Sequence, residues 1–360
     1  MRGYRRAAVA LLAAAAVGRS ATAWAQEAAA LDPQAAVTRA AAMTTAFERW
    51  AGQHSIADGA IAVLYDGRLV GSAGFGAREP DEPGPVASLS KAITALCVSR
   101  LIDAGRLGYE TTVGEALAPF LARAGPPADA RVSTITVGDM LRHRSGIVRT
   151  APLVRTADDL SQEMRSPLEE QVRRALAEPL RSPPGERYEY SNQAYIILSL
   201  IVEAVTGEDY AAHCARSVLG PIGIRSAYID VGVPQQARSG AGGWAVSAVD
   251  YARFVELLDP QSPQIGPATR AWLAERAVED PAYGLGFSMV ARGGGRHLIR
   301  HTGLIDDTDV SASALFVKWP AGWTVALNLT PARPDALEAL GSELNQIVTG
   351  VGPNAPRRSR

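Results

Sequence analysis

The sequence predicts a mixed α/β (α+β) fold: one antiparallel sheet assembled from both ends of the chain and flanked by helices, with a mainly helical subdomain inserted between its halves. Three observations predict it. Runs of strand character lie near both ends, at 60–75 and 286–329. Helical apolar spacing flanks each group, and between about 108 and 243 helical segments alternate with loops rich in Pro and Gly. At 360 residues, with 47% hydrophobic and 20% charged content, the chain has the composition of an ordinary folded protein and enough length for a large core.

Arg2, Arg5 and Arg6 precede an Ala-rich apolar run from Ala7 to Val17 and the small-residue ending Ala23-Trp24-Ala25. This predicts a secretory signal over 1–25, and hence an exported, periplasmic or secreted protein. The run is shorter than the roughly 20 residues of a membrane span, so a retained anchor is the lesser alternative. Arg5-Arg6 hints at a twin-arginine signal, but Tyr4 and Ala7-Ala8 fit that pattern poorly. Residues 26–350 are then the folded domain and 351–360 a flexible tail.

Within the domain, Pro33 to Trp50 carries helical spacing (Ala36, Val37, Ala40, Met43, Phe47) and should end before Gly52. Ala60 to Tyr65 and Arg68 to Phe75 flank Asp66-Gly67, a dipeptide suited to a tight hairpin turn. Ser88 to Ala104 reads as a helix closed by Gly105. The insertion offers helices at Val137 to Leu141, Pro167 to Ala177 and Ala194 to Val205. Four strands follow, at Gly286 to Ala291, His297 to His301, Ser311 to Val317 and Trp323 to Leu329. Pro320-Ala321-Gly322 turns the last hairpin, and a helix from Pro334 to Val348 closes the chain.

Removing 1–25 takes away Arg2, Arg5, Arg6 and Arg19 and no acid, leaving a net charge of about −5, which gives nucleic-acid binding no support. The basic run Arg357-Arg358-Ser359-Arg360 reads as a solvated end. His54, His143, His213, His297 and His301 show no zinc-type spacing among themselves or with the cysteines, so neither metal nor cofactor is expected. Cys97 and Cys214 would permit a disulfide in an oxidising compartment. Because Cys97 falls in an apolar helical run, free thiols are the expectation. The expected partner is a small-molecule or cell-wall peptide substrate, bound by a monomer.

Ser88-Leu89-Ser90-Lys91 puts a hydroxyl and an amine one helical turn apart on one side of a helix. A serine hydroxyl needs a base, and a lysine becomes one only when burial or nearby positive charge lowers its pKa. Ser-x-x-Lys also arises by accident, with the lysine merely solvated. Here lysine occurs only at Lys91 and Lys318, the other 34 of the 36 basic residues being arginine, so Lys91 requires a reason. An amine that can lose its proton is one, since guanidinium cannot act as a base.

Two further motifs follow in order: Tyr190-Ser191-Asn192 before a helix, and His301-Thr302-Gly303 at a strand end. With Ser88-x-x-Lys91 the chain resembles the serine penicillin-recognising superfamily, nearest the branch of class C β-lactamases, DD-carboxypeptidases and related esterases. Val86-Ala87, Asp139-Met140-Leu141, His143-Arg144-Ser145-Gly146, Gly242-Gly243-Trp244, Asp250 and Tyr283-Gly284-Leu285-Gly286 add to the likeness, which runs from about Ala60 to Asn328. The resemblance implies the β-lactamase/transpeptidase-like fold and a serine hydrolase working through an acyl-enzyme. Ser88 would be the nucleophile, Lys91 and Tyr190 the proton-transfer groups, Asn192 a substrate contact, and His301, Thr302 and Gly303 the strand edge. The backbone N–H groups of Ser88 and Leu304 would form the oxyanion hole.

There are also departures. His301 stands where lactamases of this branch usually carry lysine, so the charge there would depend on pH. Leu304 removes a hydroxyl often used to hold a carboxylate. Leu304-Ile305-Asp306-Asp307-Thr308-Asp309 reads as a longer, acidic loop, solvated or else bordering the cleft and favouring an amino-bearing substrate. A D-alanyl peptide or small ester is the expected substrate, ahead of a β-lactam, with a non-catalytic penicillin-binding or sensor domain as the other class.

Overall fold

The computed structural model describes residues 31–229, 233–277, 279, 282–291 and 297–350, so the signal and tail expectations lie outside the described residues. Helix α1 (Pro33–Gln53) leads into β1 (Asp58–Tyr65) and β2 (Arg68–Phe75). The helix runs through Gly52, which stands in open space. Asp66 and Gly67 take φ of 46° and 73°, the left-handed pair that a two-residue turn between twisted strands requires.

The short β3 (Gly84–Pro85) precedes a 3-10 turn (Ala87–Leu89) and helix α2 (Ser90–Asp103). In the middle of the chain lie helices α3 (Val137–Leu141) and α4 (Asn192–Thr206), then β4 (Tyr228–Ile229), β5 (Trp244–Val246) and helix α5 (Ala248–Val255). The chain returns to the sheet through β6 (Tyr283–Gly284), β7 (Phe287–Ala291), β8 (His297–Asp306), β9 (Ser311–Lys318) and β10 (Trp323–Thr330), and closes with α6 (Pro334–Thr349).

The large sheet runs β2-β1-β10-β9-β8-β7-β6, while β3, β5 and β4 form a small second sheet. Strand β1 therefore has its hairpin mate on one side and the last strand of the chain on the other, paired from Asp58↔Thr330 to Tyr65↔Trp323. Alternate residues of the central strands divide between two cores, as the two-residue period of a strand dictates. Ile61, Val63, Leu315, Val325 and Leu327 pack under α1 and α6. Ala60, Ala62, Leu64, Ala314, Phe316 and Ala326 face α2 and the helical region.

The expectation of free thiols is overturned: Cys97 and Cys214 form a disulfide, with Cα atoms 5.5 Å apart across 117 residues. Cys97 is buried on α2, as its apolar neighbours implied, but it meets the equally buried Cys214 of the helix Tyr210–Cys214. That spacing suits a bridge. Linear sequence holds no information about the encounter.

Candidate active site

The turn Ala87–Leu89 carries Ser88 at the mouth of α2, behind Ala87 at φ +49°. A non-glycine residue in that region is strained and persists only where its surroundings hold it. Here Tyr251 donates to Leu89 O at 2.7 Å, Val86 N donates to Trp244 O at 3.1 Å, and Trp244 N donates to Ser90 Oγ at 3.1 Å. Ser88 is half-buried and reachable, whereas Lys91 is fully buried.

Lys91 Nζ has three polar neighbours: Asn192 Oδ1 at 2.8 Å, Ala241 O at 2.7 Å and Ser88 Oγ at 3.2 Å. The first two can only accept. A neutral amine with two N–H bonds and a lone pair fills this arrangement by donating to both and turning its lone pair toward the Ser88 hydroxyl. Burial, helped by the positive charge of Arg149, holds the Lys91 pKa well below its ordinary value. Behind the amine, an added Cβ on Gly286 would sit 2.4–2.6 Å from the backbone of Lys91 and Ala92, so only glycine lets the β6–β7 hairpin seal this side.

Tyr190 and Asn192 flank Ser191, whose hydroxyl accepts from Ala194 N and caps α4. Asn192 N donates to Arg149 O at 2.9 Å. The Tyr190 hydroxyl is buried without a hydrogen bond of ordinary geometry, though Ser88 is near enough to offset part of the burial that pushes the phenol above its usual range. The phenol therefore keeps its proton at neutral pH, which leaves Lys91 as the better base.

His143 lies at φ +57°, its ring 4.2 Å from that of Tyr190 and 4.6 Å from that of Tyr283. Ser191 N donates to its Nδ1 at 3.2 Å, which places the imidazole proton on Nε2. Sequence reasoning noticed His143 only as part of a family-like segment. Tyr283 likewise stands out only as part of such a segment, while Ala241 O and Arg149 carry no signal, Arg149 being one arginine among 34.

Strand β7 pairs with β8 only from His297 to Arg300, so from His301 onward β8 turns an edge toward the Ser88 turn. His301 and Gly303 face inward, while Thr302 and Leu304 alternate to the exposed face. An added Cβ on Gly303 would lie 2.6 Å from Val86 O and 3.1 Å from Ser88 N, which explains the glycine and sets the strand beside that backbone N–H. His301 Nε2 lies 3.0 Å from the Tyr283 hydroxyl. Burial and the nearby Lys91 lower its pKa to about 3, so His301 is neutral at ordinary pH instead of the pH-dependent charge that the sequence suggests.

The acidic segment also differs from expectation. Strand β8 continues to Asp306, which leaves a short turn. Asp307 binds Arg155 at 2.9 Å and pairs with Arg238, while Asp309 lies 3.3 Å from Arg155. The hydrogen bond from Arg155 comes first among the causes that hold the Asp307 pKa at about 2. Asp307 and Asp309 are thus neutralised by arginines, while Asp306 accepts from Ser311 Oγ at 3.0 Å, which weakens the ground for an amino-bearing substrate. Among the described residues, no group of three or more His, Cys, Asp or Glu side chains could hold a metal, and no helix is long and apolar enough to cross a membrane.

Together these groups make a reachable hydroxyl, a buried amine of lowered pKa within hydrogen-bond reach of it, a protonated phenol beside it and an open strand edge. That set can transfer an acyl group. A family model described as Beta-lactamase matches residues 13–341. Protein flp of Staphylococcus aureus (strain COL) is 28% identical over 170 residues, 45% of this chain and 32% of the relative. Esterase EstB of Burkholderia gladioli is 30% identical over 217 residues, 55% of this chain and 54% of the relative. The chain thus spans about a third to a half of the length of these curated relatives. Among solved structures, SurE with D-Leu superposes with a TM-score of 0.68 at 23% identity, over 88% of this chain and 78% of that one, which shows the shared fold.

Proposed function

The chain belongs to the beta-lactamase family, and on that premise we propose that it hydrolyses a peptide or ester carbonyl through an acyl-enzyme on Ser88. The observation that carries this reading is the set of three contacts around the Lys91 amine, two of which only accept. Lys91 takes the proton of Ser88 as its oxygen attacks the carbonyl carbon. The backbone N–H groups of Ser88 and Leu304 receive the oxyanion. The leaving amine or alcohol takes its proton from Tyr190, which Lys91 reprotonates. Water then attacks the ester and gives a proton to Lys91, which passes it to the departing Ser88 oxygen, so that the acid is released and both Ser88 and the free amine are restored.

A D-alanyl peptide or small carboxylic ester is placed ahead of a β-lactam. The partial likeness to EstB supports the ester, and the uncharged His301 offers no charge at the lactamase lysine position. Export is part of the proposal: the signal-like pattern over 1–25 supports it, and the Cys97–Cys214 bridge suits an oxidising compartment.

The test is a panel of D-Ala-D-Ala peptide, p-nitrophenyl esters and nitrocefin, with fluorophosphonate labelling, on the chain and on Ser88→Ala. Ser88-dependent turnover and labelling are expected. A labelled burst without steady turnover would favour the non-catalytic sensor, and turnover retained by Ser88→Ala would sink the assignment.

A further inference from the structure

The positive groups around the site divide unevenly. Lys91, His143 and His301 all have depressed pKa values, with burial the first cause in each. Arg155 and Arg238 are held by Asp307, with Asp309 also on Arg155, and Arg144 lies 3.5 Å from Glu279. Arg149 is different. It is exposed, and among the described residues its guanidinium makes no ion pair. It lies 5.6 Å from the centre of the Tyr190 ring, on which Lys91 Nζ also stands, at 4.9 Å. Its carbonyl accepts the Asn192 N–H, which ties its backbone to the residue that holds Lys91.

A guanidinium held over a phenol ring by cation–π attraction keeps its edge N–H groups free to donate. A planar fork of donors matches a carboxylate in bidentate fashion. We infer that Arg149 is a specificity-determining residue that recognises a carboxylate carried by the substrate, making this a hydrolase of anionic esters or amides. The inference rests on the Ser88 acyl-enzyme reading and adds the charge class of the substrate. It reverses the preference that the acidic turn first suggested.

Two sources of the carboxylate share this chemistry, the acyl half and the leaving half. The experiment separates them by comparing kcat/KM for mono-(4-nitrophenyl) glutarate against 4-nitrophenyl pentanoate, and for 4-acetoxybenzoate against its methyl ester. The wild-type chain should prefer the anionic member of at least one pair. Arg149→Gln should cut that anionic-to-neutral ratio roughly ten- to a hundredfold, mainly through KM, and Arg149→Lys should restore part of it. Taking a ratio cancels any effect of Arg149 on Lys91 that both substrates feel. An unchanged ratio, or no anionic preference in either pair, would overturn the inference.

Calorimetric binding of the same pairs to Ser88→Ala, with and without Arg149→Gln, decides the point without turnover. Equal affinity for charged and neutral members in both chains would refute a role for Arg149. Absence of any Ser88-dependent turnover would count against the hydrolase reading alone.

Discussion

Asn192 Oδ1 accepts from Lys91 Nζ at 2.8 Å, so the residue that opens α4 also fixes the amine beside Ser88. An amide oxygen tolerates either protonation state of the lysine; a carboxylate would not. Asn192→Asp should favour the ammonium and raise the Lys91 pKa. Because only the free amine is a base, kcat/KM should rise with pH as Lys91 deprotonates, and this limb should move up by about one to three pH units in the variant. A pH profile of 4-nitrophenyl ester hydrolysis checks it, and coincident limbs would contradict the assignment.

Lys91→Met should lower kcat/KM by about 10²–10⁴-fold while the melting temperature holds or rises. Methionine nearly matches the volume, and replacing a buried ionisable group by an apolar one of similar size is often neutral or stabilising. A large fall in melting temperature alongside lost activity would instead mark Lys91 as a structural residue.

His301 should leave no inflection between pH 5 and 8, since its pKa is lowered to about 3 and it is neutral throughout that window. Replacing it by Gln should change the height of the kcat/KM profile but not the position of its acid limb. Proton NMR of the imidazole offers a direct reading, and titration near pH 6.5 would show that the ring is not held neutral.

Glu203 has its pKa raised to about 7 from 4.5, chiefly by burial, although it accepts from Tyr210 N at 3.1 Å. A raised carboxyl pKa means the folded state keeps a proton that the unfolded chain has released. Stability should therefore fall as pH rises from about 4.5 to 7 and then level off. Glu203→Gln should flatten that decline. Denaturant melts at pH 5 and pH 8 give the comparison, and parallel behaviour of the two chains would reject it.

Removing the bridge with Cys97→Ser and Cys214→Ser should cost about 2–4 kcal/mol of stability. Without reductant, the unfolded wild-type chain should take up no thiol reagent. Uptake of two equivalents would restore the free-thiol expectation.

The hairpin about Asp66-Gly67 and the helix after Ser88 were legible because their signals are local: a turn dipeptide, an apolar period, a Ser-x-x-Lys spacing. The far end of β8 was not, since Leu304 to Asp306 looks like loop until Ser311 to Ser313 lie beside it. The charges of Asp307 and Asp309 read as solvent-facing because their arginine partners stand about 150 and 70 residues away. Ser88 and Lys91 were legible through side-chain chemistry, and Tyr190, Asn192 and His301 through short motifs that resemble those of a known family. Ala241 contributes only a carbonyl, and no sequence marks which carbonyl a lysine will meet.

The pairing of Asp58 with Thr330 spans nearly the whole described chain. During synthesis the free edge of β1 has no mate until β10 has emerged, so the sheet cannot close on a partial chain. Such non-local closure is slow and leaves strand edges and apolar faces open to other molecules meanwhile. A polypeptide that stays unfolded until its last strand arrives is also one that a chaperone can hold, and a truncation before Trp323 would leave the hairpin β1–β2 without the neighbour that completes both cores.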